Sequence, residues 1–586
     1  MRVGSQLGTG NPARRLILLA ALLWSHSALA ATYTVTTLGD AAGTCTGASP
    51  NFSCTTLRAA IDEANATTGV ADTIVFGVSG TINLASTLPY VTDTLTMNGG
   101  NAVTIAAGNF ESLIFYGAEV SNSQLLNMGF SGTSEPASTL RVDGTMDVLV
   151  QGNTFVMGVT TGSAILVRNS DNVTTNNNNV TGGVYSINYY NDASSPYLTD
   201  PAYNGTITNN NVSSGSSGIA LYTANNILVD GNIITGSTGI GIRLGMQFDG
   251  PYGSNNNTIT NNTITNGRNA GISVTGYGGG AQMGVFNNNL IQGNTITGNS
   301  GAGVWLPSTS LIQTNGNVIT GNTITGNGGD GVNITGVNAA DNIVYANTNI
   351  SGNGGLGIDL AANGVTANDA GDADTGPNGV QNFPVTVSVS GTTVNFLLDT
   401  TANANGYRID FYNNPGGLDP TGYGEGQVWL DSCIVASPSA TVPSSCSIAG
   451  VDAATLRMTA TRCLTAACTS GATSEFNGPS ANLTITKTNT PGVNGEVDQA
   501  NDTVIGGLST TYTLVVSNAG PGSANNSIAK DTPGAGLSGC VAECASTTGG
   551  AVCPAAPASL LTAGGVTIAT FPANSSLTFN VTCNVP

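Results

Sequence analysis

Few side chains in this sequence could carry out acid–base chemistry, and the best placed of them are arginines. Arg168 and Arg243 lie in a Gly- and Asn-rich stretch, and Asp249 follows Arg243 closely. An arginine base beside a carboxylate-held calcium ion would suit β-elimination of a polyuronate, because the metal neutralises the uronate carboxylate. The acids are scattered, however, and no pair of them recurs at matching positions. These three residues are therefore catalytic candidates without an assembled catalytic set.

The first 30 residues have the pattern of a secretory signal. Arg14 and Arg15 precede an apolar run at 16–24, and a small-residue cleavage site follows at 28–30. The only histidine, His26, lies within this segment, so the mature chain has none. Histidine-dependent sites, such as those of alginate epimerases, are thereby excluded. The absence of any Asp-Asp pair also disfavours a glycoside hydrolase, which uses two carboxylates at set spacing.

The charge balance is strongly acidic. Removing residues 1–30 leaves 33 acidic and 10 basic side chains, a net charge of −23. Nucleic acid is therefore a poor partner, because binding it relies on clustered Lys and Arg. No later run approaches about 18 apolar residues, so we expect no transmembrane segment. These features predict a protein exported through a cleaved signal peptide, and they leave its oligomeric state open.

One sequence motif recurs through the middle of the chain. It reads Gly-Asn-Thr-Ile-Thr-Gly-Asn both at 293–299 and at 321–327. Its central aliphatic residue marks each copy, and successive markers lie 22 to 32 residues apart. The markers are Val180, Val212, Ile234, Ile264, Ile296, Ile324 and Ile350. Self-similarity at such a period indicates stacked supersecondary units.

Each copy is preceded by a short strand of the form Gly-aliphatic-x-aliphatic, as in Gly271-Ile-Ser-Val274. Its two aliphatic side chains point to one face and the residue between them to the other. Three such strands per coil predict a right-handed parallel β-helix, with Asn residues stacking through their amides at the corners. The repeat resembles the pectin-lyase-like superfamily, and we expect about a dozen coils.

A single amphipathic helix is predicted near the new N-terminus. Leu57, Ile61 and Ala64 share one face, and Thr55 or Thr56 can cap its start. The stretch resembles the Cys-Ser-Leu-Arg-Glu-Ala-Ile signature that opens many exported bacterial β-helix proteins, with Ala59 in place of Glu. The resemblance implies that this helix covers the open end of the coil, which would otherwise expose strand edges.

After the repeat, residues 381–480 alternate apolar and polar residues between turn clusters, which predicts a β-sandwich. Its segments 422–427 and 473–476 resemble the sandwich that follows such β-helices. Residues 512–521 resemble the immunoglobulin-like repeat of many bacterial surface proteins. The chain ends after a strand, so we expect either a released protein or a natural chain that continues past Pro586.

The predicted fold class is all-β, a right-handed parallel β-helix with an N-terminal capping helix, followed by two immunoglobulin-like β-sandwich domains. The predicted boundaries are 1–30 for the signal peptide, 31–70 for the cap, 71–380 for the β-helix, 381–480 for the sandwich and 481–586 for the immunoglobulin-like domain.

The longest insertions follow the Gly-aliphatic-x-aliphatic strand and carry aromatic residues, which suit the apolar faces of sugar rings. The same tyrosines could instead pack the loops against the coil. Arg243 and Trp305 should project outward from this strand two coils apart. The candidates for glycan contact are Tyr189, Tyr190, Tyr222, Arg243, Tyr252, Tyr277 and Trp305.

No cofactor is required by the sequence, and calcium is the one candidate. Asp369, Asp372, Asp374 and Asn378 offer oxygen ligands around a Gly-containing turn, which suits calcium rather than zinc. An ordinary Asp/Gly/Pro turn is the alternative.

All ten cysteines lie outside the leader, and an even number in an exported chain favours disulfides. Proximity in sequence pairs Cys45 with Cys54, Cys433 with Cys446, and Cys463 with Cys468. The last four, Cys540, Cys544, Cys553 and Cys583, allow three connectivities.

Two functions fit these observations. The first is a secreted or cell-surface protein of adhesin type that binds a polysaccharide or a surface, with the sandwich domains as spacers. The second is a polysaccharide lyase that uses Arg243 or Arg168 with calcium on a polyuronate. The lack of an assembled acid–base set favours the first.

Overall fold

The computed structural model describes residues 29–132, 138–158, 162–192, 203–246, 252–276, 284–417, 422–478, 481, 483–490, 506–520 and 522–586. The predicted signal segment lies almost entirely outside the described residues, and so do Asp249 and Tyr277.

Three long sheets run side by side along the repeat region, and each coil of the chain contributes one strand to each sheet. Their strands pair in parallel, except that Cys45–Ala48 pairs antiparallel with Asn51–Cys54. The first sheet contains, in spatial order, Cys45–Ala48, Asn51–Cys54, Thr32–Val35, Asp72–Phe76, Leu95–Asn98, Gln124–Leu126, Leu149–Gln151, Val173–Asn176, Gly205–Thr208, Ile227–Asp230, Thr258–Thr260, Leu290–Gln292, Val318–Thr320 and Ile343–Tyr345. The second sheet contains Gly80–Asn83, Val103–Gly108, Gly129–Gly132, Thr154–Met157, Asn179–Thr181, Asn211–Ser213, Ile233–Thr235, Thr263–Thr265, Thr295–Thr297, Thr323–Thr325 and Asn349–Ser351. The third sheet contains Leu113–Tyr116, Ser138–Asp143, Ser163–Arg168, Tyr185–Tyr190, Ser217–Tyr222, Ile242–Met246, Ile272–Gly276, Val304–Pro307, Val332–Thr335 and Ile358–Leu360.

This arrangement is a parallel β-helix, as the repeat predicts. The ten strands of the third sheet give about ten coils rather than a dozen. A two-stranded sheet, Gly284–Val285 with Ile312–Gln313, lies beside the coils.

The marker residues of the repeat form one continuous stack inside the second sheet. Val180 pairs with Val212, and the same register continues through every marker to Ile350. Each marker is at most 1% exposed and belongs to one hydrophobic core that runs the length of the coil. The recurrence in the sequence therefore corresponds to an aliphatic side chain filling the same interior position in successive coils.

Asparagine ladders hold the corners, as predicted. In the longest ladder each Asn donates from its backbone N–H and its Nδ2 to the Oδ1 of the next Asn, at 2.9–3.0 Å. Its members are Asn153, Asn178, Asn210, Asn232, Asn262, Asn294, Asn322 and Asn347. A second ladder runs through Asn257, Asn289, Asn317 and Asn342. Because these amides are buried, satisfying both their donors and their acceptors fixes the coil-to-coil register.

The predicted helix spans Leu57–Asn65, and the Thr56 hydroxyl accepts from the Ala59 N–H at 3.3 Å. Leu57, Ile61 and Ala64 are buried in the same core as the coils. The Cys45–Cys54 disulfide joins the two strands that precede the helix. No helix in the described part of the chain is long and apolar enough to span a membrane.

A second unit follows the last coil and is built from two antiparallel sheets with a core of their own. One sheet contains Val385–Ser390, Thr393–Leu397 and Ser444–Ser447, and the other contains Val428–Val435, Tyr407–Asn413, Arg457–Cys463 and Gly471–Thr473. The Cys433–Cys446 and Cys463–Cys468 disulfides form here.

The second unit seals the end of the β-helix and is not merely a spacer. Six backbone N–H groups of the last coil donate to acceptors of this unit. The donors are Val344, Ala346, Ile350, Gly352, Gly357 and Leu360, and the acceptors are Asp410, Gly424, Glu425, Gly426, Thr473 and Glu475. Tyr412 and Phe476 also enter the core of the coil. An open strand edge invites pairing with other chains, and these contacts remove it.

The third unit is a separate antiparallel domain with its own apolar core. Its strands are Leu483–Thr490, Ser509–Asn518, Ser575–Asn584 and Ser538–Thr548 in one sheet, with Ser527–Ala529 and Val566–Ile568 in another. The Cys540–Cys583 and Cys544–Cys553 disulfides settle the connectivity that the sequence leaves open. Short 3-10 turns occur at Ala118–Val120, Pro377–Val380 and Pro557–Leu561.

Candidate functional site

The outward side of the third sheet carries several of the charged and aromatic residues of the coils. Leu140, Val142, Ile242 and Leu244 point into the core, so the residues that alternate with them point away from it. One outward row, in register from coil to coil, is Arg141, Leu166, Asn188, Ala220, Arg243, Ser273, Trp305, Asn333 and Asp359. A second row is Tyr116, Asp143, Arg168, Tyr190, Tyr222 and Gly245. We call these two rows the third-sheet face.

The N-terminal part of the third-sheet face is a network of ion pairs. The Arg168 Nε lies 3.2 Å from an Asp143 oxygen and 3.6 Å from an Asp192 oxygen. Arg141 lies 3.5 Å from Glu111 and 3.8 Å from Asp143. Because Arg168 is engaged by two carboxylates, its guanidinium is held as the positive member of a salt-bridge network. The geometry does not present it as a free general base.

Arg243 has a different environment in the middle of the face. Its Nη1 donates to the Tyr222 hydroxyl at 3.3 Å, and that hydroxyl donates to the Tyr185 hydroxyl at 3.0 Å. The rings of Tyr185 and Tyr222 meet edge to face at 5.4 Å. Within the described residues no carboxylate forms an ion pair with Arg243. Arg243 is thus oriented by phenols, and no carboxylate of the described residues neutralises its charge.

Polar atoms without a partner occur on the strand of Arg243 and on the two strands that precede it in the sheet. The Arg243 Nε, the Asn188 Oδ1 and the Ser217 Oγ are all buried and form no hydrogen bond within the described structure. Asn188 and Arg243 both flank Ala220 in the outward row, and Ser217 begins the strand that contains Ala220. A buried polar group without a partner costs roughly 1–3 kcal/mol, so these three atoms are candidates for contact with a polar ligand.

Trp305 lies two strands beyond Arg243 in the outward row, with Ser273 between them. Two strand spacings correspond to roughly 10 Å. The Trp305 side chain is half-buried, so part of its ring remains available at the surface. The sequence predicts this outward pairing, and the register confirms it.

The predicted tyrosines are not all available for contact, and Tyr189 is a wrong prediction. It points inward, is fully buried, and its hydroxyl lies 3.0 Å from both Thr175 Oγ1 and the Val173 carbonyl oxygen. Burial raises the pKa of this phenol. Tyr222 is only 2% exposed and supports Arg243 rather than offering a ring face.

Tyr190 and Tyr252 remain half-buried candidates. Burial and the nearby Asp192 carboxylate raise the pKa of Tyr190, while Arg168 opposes that shift. Tyr277 and Asp249 lie outside the described residues.

Sequence reasoning missed Arg141, Tyr185, Asn188 and Ser217 as members of this site. Tyr185 and Ser217 precede the recognisable strand motif, and Arg141 lies in the looser coils where the repeat is hard to align. The available signal was the alternation of side chains along a strand. Arg141 lies between the interior residues Leu140 and Val142, so its side chain must point outward.

The predicted calcium ligands divide into two groups. Asp369, Asp372 and Asp374 bring carboxylate oxygens within 4.8 Å of one another. Burial raises the pKa of Asp372, and repulsion from Asp374 and Asp369 adds to it. The Asp369 carboxylate accepts from the Ala373 N–H, and the Asp372 carboxylate from the Asn382 N–H. These three side chains could hold a cation between them.

Asn378 does not join that cluster and extends the second asparagine ladder instead. Its Oδ1 accepts from the Asn342 N–H at 2.9 Å, and its Nδ2 donates to the Asn342 and Thr473 carbonyl oxygens. Its amide is therefore committed to joining the last coil to the second unit, which corrects its assignment as a calcium ligand.

Comparisons with known proteins found one family model and several solved structures that are similar to parts of this chain. A family model described as "Right handed beta helix region" matches residues 138–318. The periplasmic alginate epimerase AlgG is similar over 50% of this chain and 74% of its own, at 13% identity and a TM-score of 0.35. The Azotobacter vinelandii mannuronan C-5 epimerase AlgE4 A-module is similar over 52% and 85%, at 14% identity and 0.32. The Yersinia enterocolitica family 28 exopolygalacturonase is similar over 47% and 70%, at 12% identity and 0.30. A comparison with curated proteins found no match.

Proposed function

We propose that this protein is exported to the bacterial surface or medium and binds a polysaccharide or surface glycan through the third-sheet face, as an adhesin-type protein. The observation that carries the proposal is the group of buried polar atoms without partners on the strand of Arg243 and on the two strands that precede it. Sugar hydroxyls donate and accept hydrogen bonds, and sugar carboxylates accept them, so such groups could pair with the Arg243 Nε, the Asn188 Oδ1 and the Ser217 Oγ.

The partly exposed positions of the face suit an extended ligand rather than a small one. Arg141, Arg243 and Trp305 are partly exposed and span roughly 30 Å of the outward row at one strand spacing per coil, while the other six members of the row are buried. Trp305 supplies a ring surface two strands from Arg243, a separation comparable to two sugar units along a chain. Aromatic surface beside convergent polar groups is typical of carbohydrate sites.

Export is part of the proposal. Ten cysteines form five disulfides, and such bonds persist in oxidising compartments outside the cytoplasm. We include in the proposal that residues 1–30 are cleaved, that the Leu57–Asn65 helix caps the coil, and that the two C-terminal units are immunoglobulin-like. The disulfides support export, and the contacts of the helix with the core support its capping role.

Binding rather than cleavage is favoured by the state of the two catalytic candidates. Arg168 is engaged by Asp143 and Asp192, and Arg243 meets no carboxylate within the described residues. A base and a charge neutraliser for a uronate would have to converge on one point of the face, and these side chains do not.

The experiment is a glycan array and a cell-adhesion assay with residues 31–586. The whole mature chain is needed because the second unit seals the last coil. Binding to a defined polysaccharide is expected, and the absence of binding to every polysaccharide and surface would contradict the proposal. In parallel, incubation with polyuronates distinguishes the lyase alternative: accumulation of unsaturated ends would identify an enzyme instead of a binding protein.

A further inference from the structure

Two acidic residues and an amide meet on the last two coils, at the C-terminal end of the third-sheet face. Asn333 and Asp359 are direct register partners in the outward row of the third sheet. Asp330 precedes Asn333 by three residues, and its Oδ2 accepts from the Asn333 Nδ2 at 2.5 Å. Its Oδ1 accepts from the Leu356 N–H at 2.9 Å, which fixes this carboxylate against the last coil. The three side chains therefore lie together at one place.

Two oxygens of this group are buried without a donor. Asn333 is 6% exposed and Asp359 is 4% exposed, and neither the Asn333 Oδ1 nor the Asp359 Oδ1 forms a hydrogen bond within the described structure. The Asn333 amide is oriented by its Nδ2 contact with Asp330, so its oxygen is the atom left free. Two electron-rich oxygens of this buried group are thus left without a donor, while the other oxygen of Asp359 accepts from the backbone N–H of Gly364.

The charge of this group is uncompensated as well. In the part of the chain that the structure describes, neither Asp330 nor Asp359 forms an ion pair with a Lys or an Arg. Burying a carboxylate without a counter-charge costs several kcal/mol, because the ion loses its hydration. A bound cation would remove that cost, whereas a neutral sugar or a water molecule would leave the charge in place.

The surrounding chain encloses the group. The Asp359 Oδ2 accepts from the Gly364 N–H at 3.1 Å. Glu475 of the second unit accepts from the Leu360 N–H at 3.0 Å and from the Thr366 N–H at 2.9 Å. The segment from 360 to 366 is therefore held around Asp359. Such enclosure suits a small ion and leaves little room for a sugar ring.

We propose that Asp330, Asn333 and Asp359 form a binding site for a calcium ion at the junction between the last coil and the second unit. The Asp359 Oδ1 and the Asn333 Oδ1 are its direct ligands, and Asp330 contributes charge and a further oxygen. Carboxylate and amide oxygens are hard donors that calcium prefers, and calcium accepts the irregular geometry and added waters that such a set requires.

This site is distinct from the Asp369, Asp372 and Asp374 cluster and independent of glycan binding at Arg243. Its role is structural, because it joins two adjacent coils at the point where Glu475 attaches the second unit. Calcium is expected to raise the unfolding temperature of the junction.

The geometry provides a specific spectroscopic test, because Trp305 is the register partner of Asn333. A terbium ion in this site would lie within about two strand spacings of the Trp305 ring, close enough for indole-sensitised emission. The mature chain has only one other tryptophan, Trp429. Sensitised emission from the mature protein should disappear in Trp305→Phe and persist in Trp429→Phe.

Variants of the ligands complete the test. Asp359→Asn keeps an acceptor for Gly364 and should weaken calcium binding, measured by titration calorimetry, by about tenfold or more. Asn333→Asp adds a carboxylate and should strengthen it. Asp372→Asn serves as the matched control and should leave the Trp305-sensitised emission unchanged. Absence of sensitised emission, or calcium affinity at this site unaffected by both Asp359→Asn and Asn333→Asp, would overturn the proposal.

Discussion

Arg243 donates a hydrogen bond to the hydroxyl of Tyr222 at 3.3 Å, from one coil to the next. Tyr222 is almost completely buried, and its hydroxyl donates in turn to Tyr185. The two phenols therefore hold the guanidinium in one orientation without neutralising its charge. A fixed and unneutralised cation is suited to an anionic or hydroxyl-rich ligand, because the cost of ordering the side chain has already been met in the free protein.

Replacing Arg243 with Ala should weaken polysaccharide binding by about tenfold or more, because hydrogen bonds to a charged group contribute about 1.5–3 kcal/mol each. Calorimetry or surface plasmon resonance with the best polysaccharide from the array measures the change. Arg268→Ala is the matched control, since Arg268 is exposed at a corner of the coil and its substitution removes the same charge from the protein. Equal losses in both variants would show that net charge, and not the Arg243 position, governs binding.

Tyr222→Phe should reduce the same affinity by a smaller amount, about threefold to tenfold, because the ring remains while the hydroxyl that orients Arg243 is lost. Since the Tyr222 side chain is not itself exposed, this effect should act through Arg243. In the Arg243→Ala background the additional Tyr222→Phe substitution should therefore change binding little, and a double-mutant cycle measures that coupling. Additive losses would contradict the positioning role of Tyr222.

The asparagine ladder should be the most sensitive part of the coil. Asn262 is 1% exposed, donates to the Val229 and Thr260 carbonyl oxygens and to Asn294, and accepts from Asn232. Asn262→Ala leaves several buried groups unsatisfied and should lower the free energy of unfolding by about 3 kcal/mol or more. Denaturant unfolding measures this.

Asn266→Gly is the control for that substitution. Asn266 is exposed at a corner with φ of 57°, a backbone conformation that glycine adopts readily. Its replacement should change the free energy of unfolding by less than about 1 kcal/mol. A similar loss in both variants would show that the ladder contributes no more than an ordinary turn amide.

The interior of the coil could be predicted from the sequence because each of its rules is local. An aliphatic residue two positions from another must share its face, and the repetition of Val180 at Val212 and Ile234 sets the register. The same local rule was sufficient to place Arg243 and Trp305 outward. It was also sufficient to place Tyr189 inward with Ile187, which rules this tyrosine out as a glycan contact.

The remainder depends on contacts between residues far apart in the chain. Asn378 has the appearance of a turn ligand, and only its position beneath Asn342 shows that it extends a ladder. The six N–H groups of the last coil are satisfied by side chains and carbonyls that lie up to 129 residues away in sequence. Neither spacing nor composition encodes such pairs, because the fold of the second unit determines them.

Calcium should also bind at the Asp369, Asp372 and Asp374 cluster, since the three carboxylates lie close together and repel one another without a cation. We expect calcium at about one hundred times its dissociation constant to add about 2.7 kcal/mol to the free energy of unfolding. Asp372→Asn should reduce this increment, and Asp452→Asn, an exposed acid of the same unit, should not. An equal calcium effect in all three proteins would contradict this site.

The contact between Glu475 and the last coil should make stability depend on pH near neutrality. Burial raises the pKa of Glu475 to about 7, although the Thr366 and Leu360 N–H groups oppose the shift. Because this value lies above the ordinary glutamate value, the folded protein binds the proton more tightly than the unfolded chain does. The resulting stability is fully present below about pH 4.5 and is lost as the pH rises through about 7.

In calcium-free buffer the free energy of unfolding should therefore fall by about 3 kcal/mol at most between about pH 5 and about pH 8. The only histidine, His26, lies in the predicted leader, so histidine titration should not contribute in this window. Glu475→Gln cannot titrate and should flatten the profile, while Glu543→Gln, exposed in the third unit, should leave it unchanged. Thermal unfolding across this pH range measures the difference. If the free energy of unfolding falls as steeply with pH in Glu475→Gln as in the unchanged protein, then titration of this carboxyl does not cause the pH dependence.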